Sequence, residues 1–374
     1  MELQKHKLSE IVTLLNGRAY LMPELQDEGK YRILRVGNLS GGNNSWFYSD
    51  MELDHDKYCE SGDLLYAWAC NFGPHIWKEE KVIFHYHIWK LVENPNLVDR
   101  QFLYYYLLHQ TPFYLGGVNG ATMVHITKQS MEKKTVFIPK DVTLQKKIAS
   151  ILSNYDSLIE NNSKRIQLLE KMAENIFKEW FVRYRFPGHQ NVVMEDNMPK
   201  GWIKAPLGSI CPFVRGKNIT SDEMIPGTIP VISAGITPSG THIQGNVQGA
   251  SITISSSGAN AGYVSFHYSD IWAADCSYVS ENDTEFIFYA YELLNYLRPI
   301  INNLQRGAAQ PHVYPKDVNR IMIVVPDEHV RKKANERFKV IHSLIAKLKQ
   351  QNEFLSKQRD LLLPRLMSGK LEVK

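Results

Sequence analysis

Apolar residues recur three and four positions apart along two long stretches of this chain, the spacing of one face of an α-helix. In the first, Leu144, Ile148, Ile151, Tyr155 and Leu158 form a stripe that Leu169, Ile176 and Trp180 resume beyond the polar Asn162 and Arg165. In the second, Val330, Ala334, Ile341, Leu344, Leu348, Leu355 and Leu362 do the same, with Lys and Glu on the other faces. Each pattern predicts a helix of roughly 35 residues, about 50 Å long at the rise of an α-helix. Pro364 is expected to stop the second helix, because it lacks an N–H and its ring clashes with the preceding turn. A stripe that long must be covered by something of equal length. The other helix is the obvious cover, packed antiparallel in a coiled-coil-like seam, with Asn162 and the polar run Gln350-Gln351-Asn352 fixing the register.

Away from these helices the pattern shortens and mixes. Lys81-Val82-Ile83-Phe84-His85-Tyr86-His87-Ile88-Trp89 and Ser251-Ile252-Thr253-Ile254 have the β-branched and aromatic content of strands. Gly41-Gly42-Asn43-Asn44 and Ser256-Ser257-Gly258-Ala259-Asn260-Ala261-Gly262 mark turns between strands, and short helices are expected over residues 99–108 and 290–304. Phe186-Pro187-Gly188-His189-Gln190-Asn191, followed by Met198-Pro199-Lys200-Gly201-Trp202, is a breaker cluster that reads as a linker.

The chain is also written twice. Asn119-Gly120-Ala121-Thr122, His125 and Pro139 align without gaps on Arg306-Gly307-Ala308-Ala309, His312 and Pro326, 187 residues later. The same spacing sets Gly62-Asp63-Leu64-Leu65 on Gly249-Ala250-Ser251-Ile252, and a spacing of 199 sets Leu8 and Gly17 on Leu207 and Gly216. So long a period means a duplicated domain plus connector rather than a solenoid. The expected fold class is therefore α+β: two globular mixed domains, related by a pseudo-two-fold repeat and separated by two long antiparallel helices. The expected boundaries are a first domain over residues 1–140, a helical spacer over 141–186, a linker over 187–200, a second domain over 201–327 and a helical spacer with tail over 328–374.

Composition narrows the function by exclusion. The net charge of +4 is modest, but residues 328–374 hold twelve Lys or Arg against five Asp or Glu, a net +7, which leaves −3 for the remainder. The basic charge sits on the last helix and tail, which is either a solvated face or a footprint for a phosphate backbone. Cys59, Cys70, Cys211 and Cys276 form no C-x-x-C pair, as expected of small apolar residues in a reducing compartment. The N-terminal Met1-Glu2-Leu3-Gln4-Lys5-His6-Lys7 lacks an apolar signal core, and the longest apolar run, from Phe102 to Leu108, is too short for a membrane span. A cytoplasmic protein without a membrane segment is expected.

Catalytic motifs are missing from the sequence. There is no G-x-x-x-x-G-K-[ST] loop, no H-E-x-x-H and no G-x-S-x-G elbow. The nearest pattern is Asp63 with Glu79 and Lys81, reminiscent of a metal-dependent nuclease, but the second copy has Ala250 in place of Asp63 and no third carboxylate is positioned. His125 and His312 occupy equivalent positions and read as turn residues before a strand. No metal site is expected.

This organisation resembles the specificity subunit of type I restriction-modification systems. The most specific pieces are Leu144-Gln145-Lys146-Lys147-Ile148-Ala149-Ser150-Ile151-Leu152 with Leu168-Leu169-Glu170, and the terminal Leu361-Leu362-Leu363-Pro364-Arg365-Leu366-Met367-Ser368-Gly369-Lys370-Leu371. Gly62-Asp63-Leu64-Leu65 and Arg306-Gly307-Ala308-Ala309-Gln310-Pro311-His312 are similar to family segments as well, whereas Gly249-Ala250 departs from the usual Gly-Asp. The resemblance implies a non-catalytic reader of double-stranded DNA, in which each domain contacts one half of a split site and the helix pair acts as ruler and docking post. It implies as partners two modification subunits and motor-nuclease subunits, with S-adenosylmethionine, ATP and Mg in those partners and no cofactor in this chain.

Base readout uses Arg or Lys for guanine and Asn or Gln for adenine. On turn-rich segments the candidates are Arg18, Arg35, Asn71, Trp77 and Asn119 in the first domain and Arg215, Lys217, Asn260, Arg306 and Gln310 in the second. Arg18 and Lys217 stand out because each follows one of the equivalent glycines. A protein-recruiting scaffold and a stand-alone nuclease are the competing readings.

Overall fold

The computed structural model describes residues 2–39, 45–70, 72–115, 126–307 and 310–373. Two compact units emerge, one formed by Met1–Glu160 with Asn352–Lys374 and the other by Asn161–Gln351. Each takes part of both long helices, so the division falls inside the helices and not at the ends expected from the sequence.

In the first unit β1 (Leu3–Lys7), β2 (Val12–Asn16), β3 (Tyr31–Leu34), β4 (Phe47–Ser49), β5 (Tyr58–Cys59), β6 (Leu64–Ala67), β7 (Gly73–Ile76), β8 (Val82–Phe84), β9 (Ile88–Glu93) and β10 (Thr135–Pro139) form three sheets. These are a pair β1-β10, a four-stranded sheet β2-β9-β6-β7 and a second one β4-β3-β8-β5. The central β6 is buried at every position, which explains its unbroken apolar run Leu64-Leu65-Tyr66-Ala67 in place of an alternating one. The stretch from Lys81 to Trp89, expected as one strand, breaks at His85-Tyr86-His87 into β8 and β9 because the chain turns there to change sheets. A helix at Arg100–Leu115, longer than the span expected, covers the first four-stranded sheet through buried Phe102, Leu103, Tyr105 and Tyr106.

The second unit opens on a small hairpin, β11 (Met194–Glu195) and β12 (Met198–Pro199), inside the stretch read as linker. That segment is anchored rather than loose, since Phe186 stacks on the buried Trp202 at 5.3 Å. The following strands are β13 (Ile203–Pro206), β14 (Val214–Arg215), β15 (Ile229–Ile232), β16 (Gly240–His242), β17 (Ser251–Ser255), β18 (Val264–His267), β19 (Trp272–Ala273), β20 (Cys276–Ser280) and β21 (Met322–Val325). They order as β13-β21, β14-β20-β17-β18 and β16-β15-β19, and in the last sheet β15 pairs parallel to β19 as β3 pairs parallel to β8. The expected helix over 290–304 is two, Ile287–Tyr296 and Arg298–Asn302, because Pro299 starts a new first turn. Gly249 keeps the left-handed backbone of Gly62, at φ 72° against 95°. Where Asp63 ties the first loop by accepting from Glu60 N–H, Glu281 accepts from Ala250 N–H in the second. The Gly-Ala departure therefore leaves the turn intact.

The first long helix covers Val142–Phe177 and continues as a wider π turn over Lys178–Val182, so its α-helical part ends before residue 186. The second covers Glu328–Met367. Pro364 does not end it. The helix runs one turn further because Leu363, Leu366 and Met367 are buried in the first unit's core against Ile148, Ala149 and Leu152. In that unit Arg359 Nη1 donates to Asp156 at 2.5 Å and Asn352 Nδ2 donates to Ile159 O at 3.3 Å, pairing the helices in opposite chain order. In the second unit Ala173, Ile166, Leu169 and Ile176 share a core with Ala334, Phe338, Ile341 and Ile345.

Not every stripe residue faces inward. Ile148, Ile341 and Leu348 are buried, and Leu144, Ile151, Tyr155, Leu169, Ile176, Leu355 and Leu362 are half-buried. Leu158 and Leu344 are exposed, at 51 % and 44 %, while Leu152 beside Ile151 and Ile345 beside Leu344, both outside the stripe, are buried. A step of three residues falls about 60° short of a full turn, so Leu158 and Leu344, each reached by such a step, lie to one side of the buried face.

One polar side chain per unit fastens a long helix to its sheet layer. Gln145 is fully buried; its Oε1 accepts from Asp99 N–H at 2.8 Å and its Nε2 donates to the carbonyls of Leu97 and Pro139. In the second unit Asn335 Oδ1 accepts from the N–H groups of Phe288 and Tyr289, and its Nδ2 donates to Glu285 O. Both amides satisfy backbone groups at the start of a helix, where donors have no partner within the helix itself. Gln145→Leu should lower the unfolding free energy by about 1–3 kcal/mol through orphaned polar groups. Leu158→Ala should stay within about 0.5 kcal/mol. Urea titration of the two variants checks the contrast, and equal losses would contradict the anchoring role.

Candidate nucleic-acid interface

In the first unit a glycine places the candidate residues. A Cβ on Gly17 would sit 2.3 Å from the carbonyl oxygen of His85, so only glycine lets the turn after β2 lie against the end of β8. Arg18 N–H then donates to Phe84 O at 3.0 Å, and Tyr86 N–H donates to Arg18 O at 3.0 Å. Arg18 and Tyr20 are thereby brought beside the His85-Tyr86-His87 turn. Arg18 reaches Glu24 through both terminal nitrogens, at 3.0 and 2.6 Å, and lies over the Tyr20 ring at 5.2 Å. Rings continue outward, with Tyr20 stacked on His85 at 6.3 Å, Tyr86 tilted against His85 at 4.5 Å, and Trp68 edge-on to His87 at 5.0 Å and stacked on Trp89 at 5.7 Å. Burial, then the neighbouring His87, then Arg35 push the His85 imidazole down to about 4. Its neutral form is held between aromatic faces.

Arg35 lies over the Phe47 ring at 4.3 Å and donates to Ser45 O at 2.8 Å. Trp77 is no surface reader. It is 6 % exposed, packs in the core with Leu34, Leu65 and Phe84, and donates its indole N–H to Glu80 O. An indole is large enough that burial outweighs its polar edge once that edge has a partner. Asn71, Asn119 and His125 lie outside the described residues.

The second unit builds the same turn from different residues. A Cβ on Gly216 would meet Ala274 O at 2.4 Å, Gly216 N–H donates to Cys276 O, and Lys217 N–H donates to Ala273 O. Lys217 is exposed. Arg215, on β14, pairs with Asp275, which also accepts from the Ser257 hydroxyl. Ser257 pairs through its backbone with His312, and His312 with Arg306. Arg306 is mostly exposed and reaches the buried Asp317 at 3.1 Å. Gly258 N–H donates to Pro311 O, and Gln305 Nε2 donates to Ala261 O. These bonds gather Arg215, Lys217, Asn260, Arg306 and Gln310 around two linked loops, with Asn260 in a 3-10 turn over Gly258–Asn260.

Sequence reasoning missed the rings of the first unit, Tyr20, Trp68, His85, Tyr86 and His87, and the carboxylate Asp275. The signal was there in the polar-aromatic triplet His85-Tyr86-His87, which interrupts an otherwise apolar run.

The nuclease pattern does not assemble. Asp63 pairs with Lys90 at 2.7 Å, Glu79 with Arg32 at 2.9 Å and Lys81 with Glu60 at 3.0 Å, three separate ion pairs. Among the described residues, no cluster of three or more His, Cys, Asp or Glu side chains is placed to hold a metal ion. No helix among them is long and apolar enough to cross a membrane.

Cations, amides and rings on turn-rich surfaces of two like units define the class: a nucleic-acid reader. Comparison with known proteins makes it specific. A sequence model of the type I restriction modification DNA specificity domain matches residues 2–171 and 199–356. The chain belongs to that family, the non-catalytic DNA-recognition component of type I restriction-modification systems. It is 26 % identical over 306 residues to the type I restriction enzyme MjaIX specificity subunit of Methanocaldococcus jannaschii, covering 74 % of this chain and 70 % of that one. With the MjaVIII specificity subunit of the same organism it shares 22 % over 398 residues, 98 % of this chain and 92 % of the relative. In fold it is similar to the crystal structure of a type I restriction-modification S subunit from M. genitalium, with a TM-score of 0.65 at 19 % identity over 98 % of this chain and 96 % of that one.

The low position of His85 has a measurable consequence. The folded state resists protonating this imidazole while the unfolded chain, with an ordinary value near 6.5, takes the proton, so stability is complete above about 6.5 and falls as pH drops towards 4. The urea midpoint should decline between pH 7 and pH 5, and His85→Phe should flatten that decline. An unchanged slope in the variant would contradict the assignment.

Proposed function

We propose that each unit reads one half of a split, asymmetric double-stranded DNA sequence, and that the two long helices pair antiparallel along their length as the spacer between the halves. The observation that carries this reading is one backbone scaffold bearing two sets of side chains: Gly17 and Gly216 brace the same turn on strand-end carbonyls, but present Arg18 with Tyr20 in one unit and Lys217 with Arg215 in the other. Like scaffolds hold two readers alike, and unlike side chains accept unlike bases. The matching strand orders support an internal duplication with pseudo-two-fold symmetry. Opposite chain order in the contacts of Asp156 with Arg359 and of Ile159 with Asn352 supports the antiparallel pair.

The same helices are the docking post for two modification subunits, and motor-nuclease subunits join the assembly. S-adenosylmethionine, ATP and Mg serve those partners, and this chain holds no cofactor of its own. The assembly works in the cytoplasm, where its DNA is. Two heads on a spacer of about 50 Å suit half-sites roughly one helical turn apart, about 34 Å.

Co-expression with a modification subunit tests docking: a chain lacking residues 330–363 should lose the complex. The assembled protein should bind duplex DNA with an affinity that falls as salt rises, because phosphate contacts release counterions. A duplex affinity insensitive to salt, or none, would favour a protein-recruiting scaffold. Asn260→Ala should weaken discrimination in one half-site only, by about 1–3 kcal/mol if the amide makes a bidentate contact. Leu348→Asp buries an unpaired charge at a cost of several kcal/mol and should destroy the fixed footprint length. A footprint of unchanged length would refute the ruler.

A further inference from the structure

At one turn the first unit carries exposed apolar side chains where the second carries polar ones. After Arg18 and Tyr20 the chain makes a 3-10 turn, Met22–Glu24, on which Leu21 and Met22 stand 71 % and 78 % exposed. These are large apolar side chains held in water by a stiff support. Glu24 accepts from Leu21 N–H at 2.8 Å and from the Arg18 guanidinium, Glu24 N–H donates to Leu21 O at 2.9 Å, and beyond the turn Gln26 exchanges backbone hydrogen bonds with Tyr48 at 3.0 and 2.8 Å. The tip is thus pinned on both sides. Two cations stand at its base, each beside a carboxylate that phosphate would have to compete with: Arg18, over Tyr20 and paired with Glu24, and Lys57, whose ammonium donates to Asn16 O at 3.1 Å and to Asp56 at 2.7 Å. Behind it stands the stack of Tyr20, His85 and Tyr86. Exposed carboxylates, Asp27 and Glu28, follow only after Gln26 is tied to β4.

The second unit builds the same support 199 residues later. Glu223 accepts from Thr220 N–H at 2.7 Å, as Glu24 does from Leu21 N–H, and a 3-10 turn follows at Ser221–Glu223. Thr220 and Ser221 stand where Leu21 and Met22 stand. The turn is common to both, and at these two positions only the first unit is apolar; in the second the exposed Ile225 stands after the turn, with its N–H tied to His242.

We infer that Leu21 and Met22 are a wedge that enters a base step of the half-site read by the first unit, unstacking it against the neighbouring rings while the flanking cations hold phosphates. The inference rests on the proposed DNA-reading role. Apolar side chains inserted between base steps kink duplexes, and flexible pyrimidine–purine steps open most readily. The wedge therefore selects a deformable step without a base-edge contact, in one half-site and not in the other.

Full-length protein with its modification subunits is used to recover duplexes from a random-sequence pool, and the recovered site is resynthesised with 2-aminopurine at successive positions. Binding should raise fluorescence several-fold at a single step in one half-site. Leu21→Ala with Met22→Ala, both exposed and outside the core, should abolish the rise and relax the pool's preference at that step. Thr220→Ala with Ser221→Ala should leave the rise intact. A rise at no position despite tight binding overturns the wedge and leaves the DNA-reading role standing, as does a rise that survives the double alanine variant. Loss of modification-subunit association in that variant, with the rise intact, makes the tip a protein contact and overturns the wedge too. Failure of the wild-type assembly to bind any duplex overturns both.

Discussion

A helix some fifty ångströms long can serve a folded unit only where its polar backbone neighbours lose no hydrogen bond on contact, and in each unit one side-chain amide meets that condition. Gln145 and Asn335 each accept from backbone N–H groups at the start of a packed helix and donate to nearby carbonyls. The apolar contacts around them supply the bulk of the stabilisation, but such contacts are non-directional. The amides are directional. They fix where each long helix meets the sheet layer, and with that the place of the turns bearing Arg18 and Lys217. A second buried polar set in the second unit, His342 between Glu292 at 2.8 Å and Tyr268 at 3.1 Å, ties the helix that carries Asn335 to the helix Ile287–Tyr296 and the end of β18 as well.

On this base the units repeat a plan and differ in chemistry. The four-stranded sheets β2-β9-β6-β7 and β14-β20-β17-β18 have one strand order, and in each a glycine lets a turn rest on strand-end carbonyls. What stands on the turn is aromatic and partly buried in the first unit, with His85 held neutral. In the second it is a polar chain running from Arg215 through Asp275 and Ser257 to the loops of Asn260 and Arg306. Rings accept bases by stacking, and forked guanidinium and amide groups accept them by hydrogen bonds to base edges. Two units with one backbone thus have two vocabularies.

Much of this was legible in the sequence because it rests on periodicity. The long helices announce themselves in Ile148, Leu348 and their neighbours, and Gly17 and Gly216 mark the two like turns. What was hidden depends on three-dimensional context. Leu158 and Leu344 continue the stripe in sequence but face solvent, because a step of three residues stops short of a full turn and leaves them at the edge of the covered face. Pro364 reads as a stop, yet the burial of Leu363, Leu366 and Met367 carries the helix past it. Gln145 is an ordinary polar residue until Asp99, Leu97 and Pro139 converge on it. Trp77 looked like a reader and is core, while Tyr20, Trp68 and Tyr86, which no linear pattern singled out, form a partly buried cluster of rings. Side-chain direction decides such cases, and a linear pattern does not contain it.

The brace beneath each turn separates two demands that proteins usually impose on the same residues. Gly17 with Glu24, and Gly216 with Glu223, satisfy the local backbone by themselves. Between them, Leu21 and Met22 in one unit and Thr220 and Ser221 in the other stand exposed. Mutation can therefore rewrite those positions at little cost in foldedness, and in the proposed reading one unit can acquire a new preference while its sibling keeps the old one. Diversification of targets, for a chain built this way, is a matter of repainting and not of rebuilding.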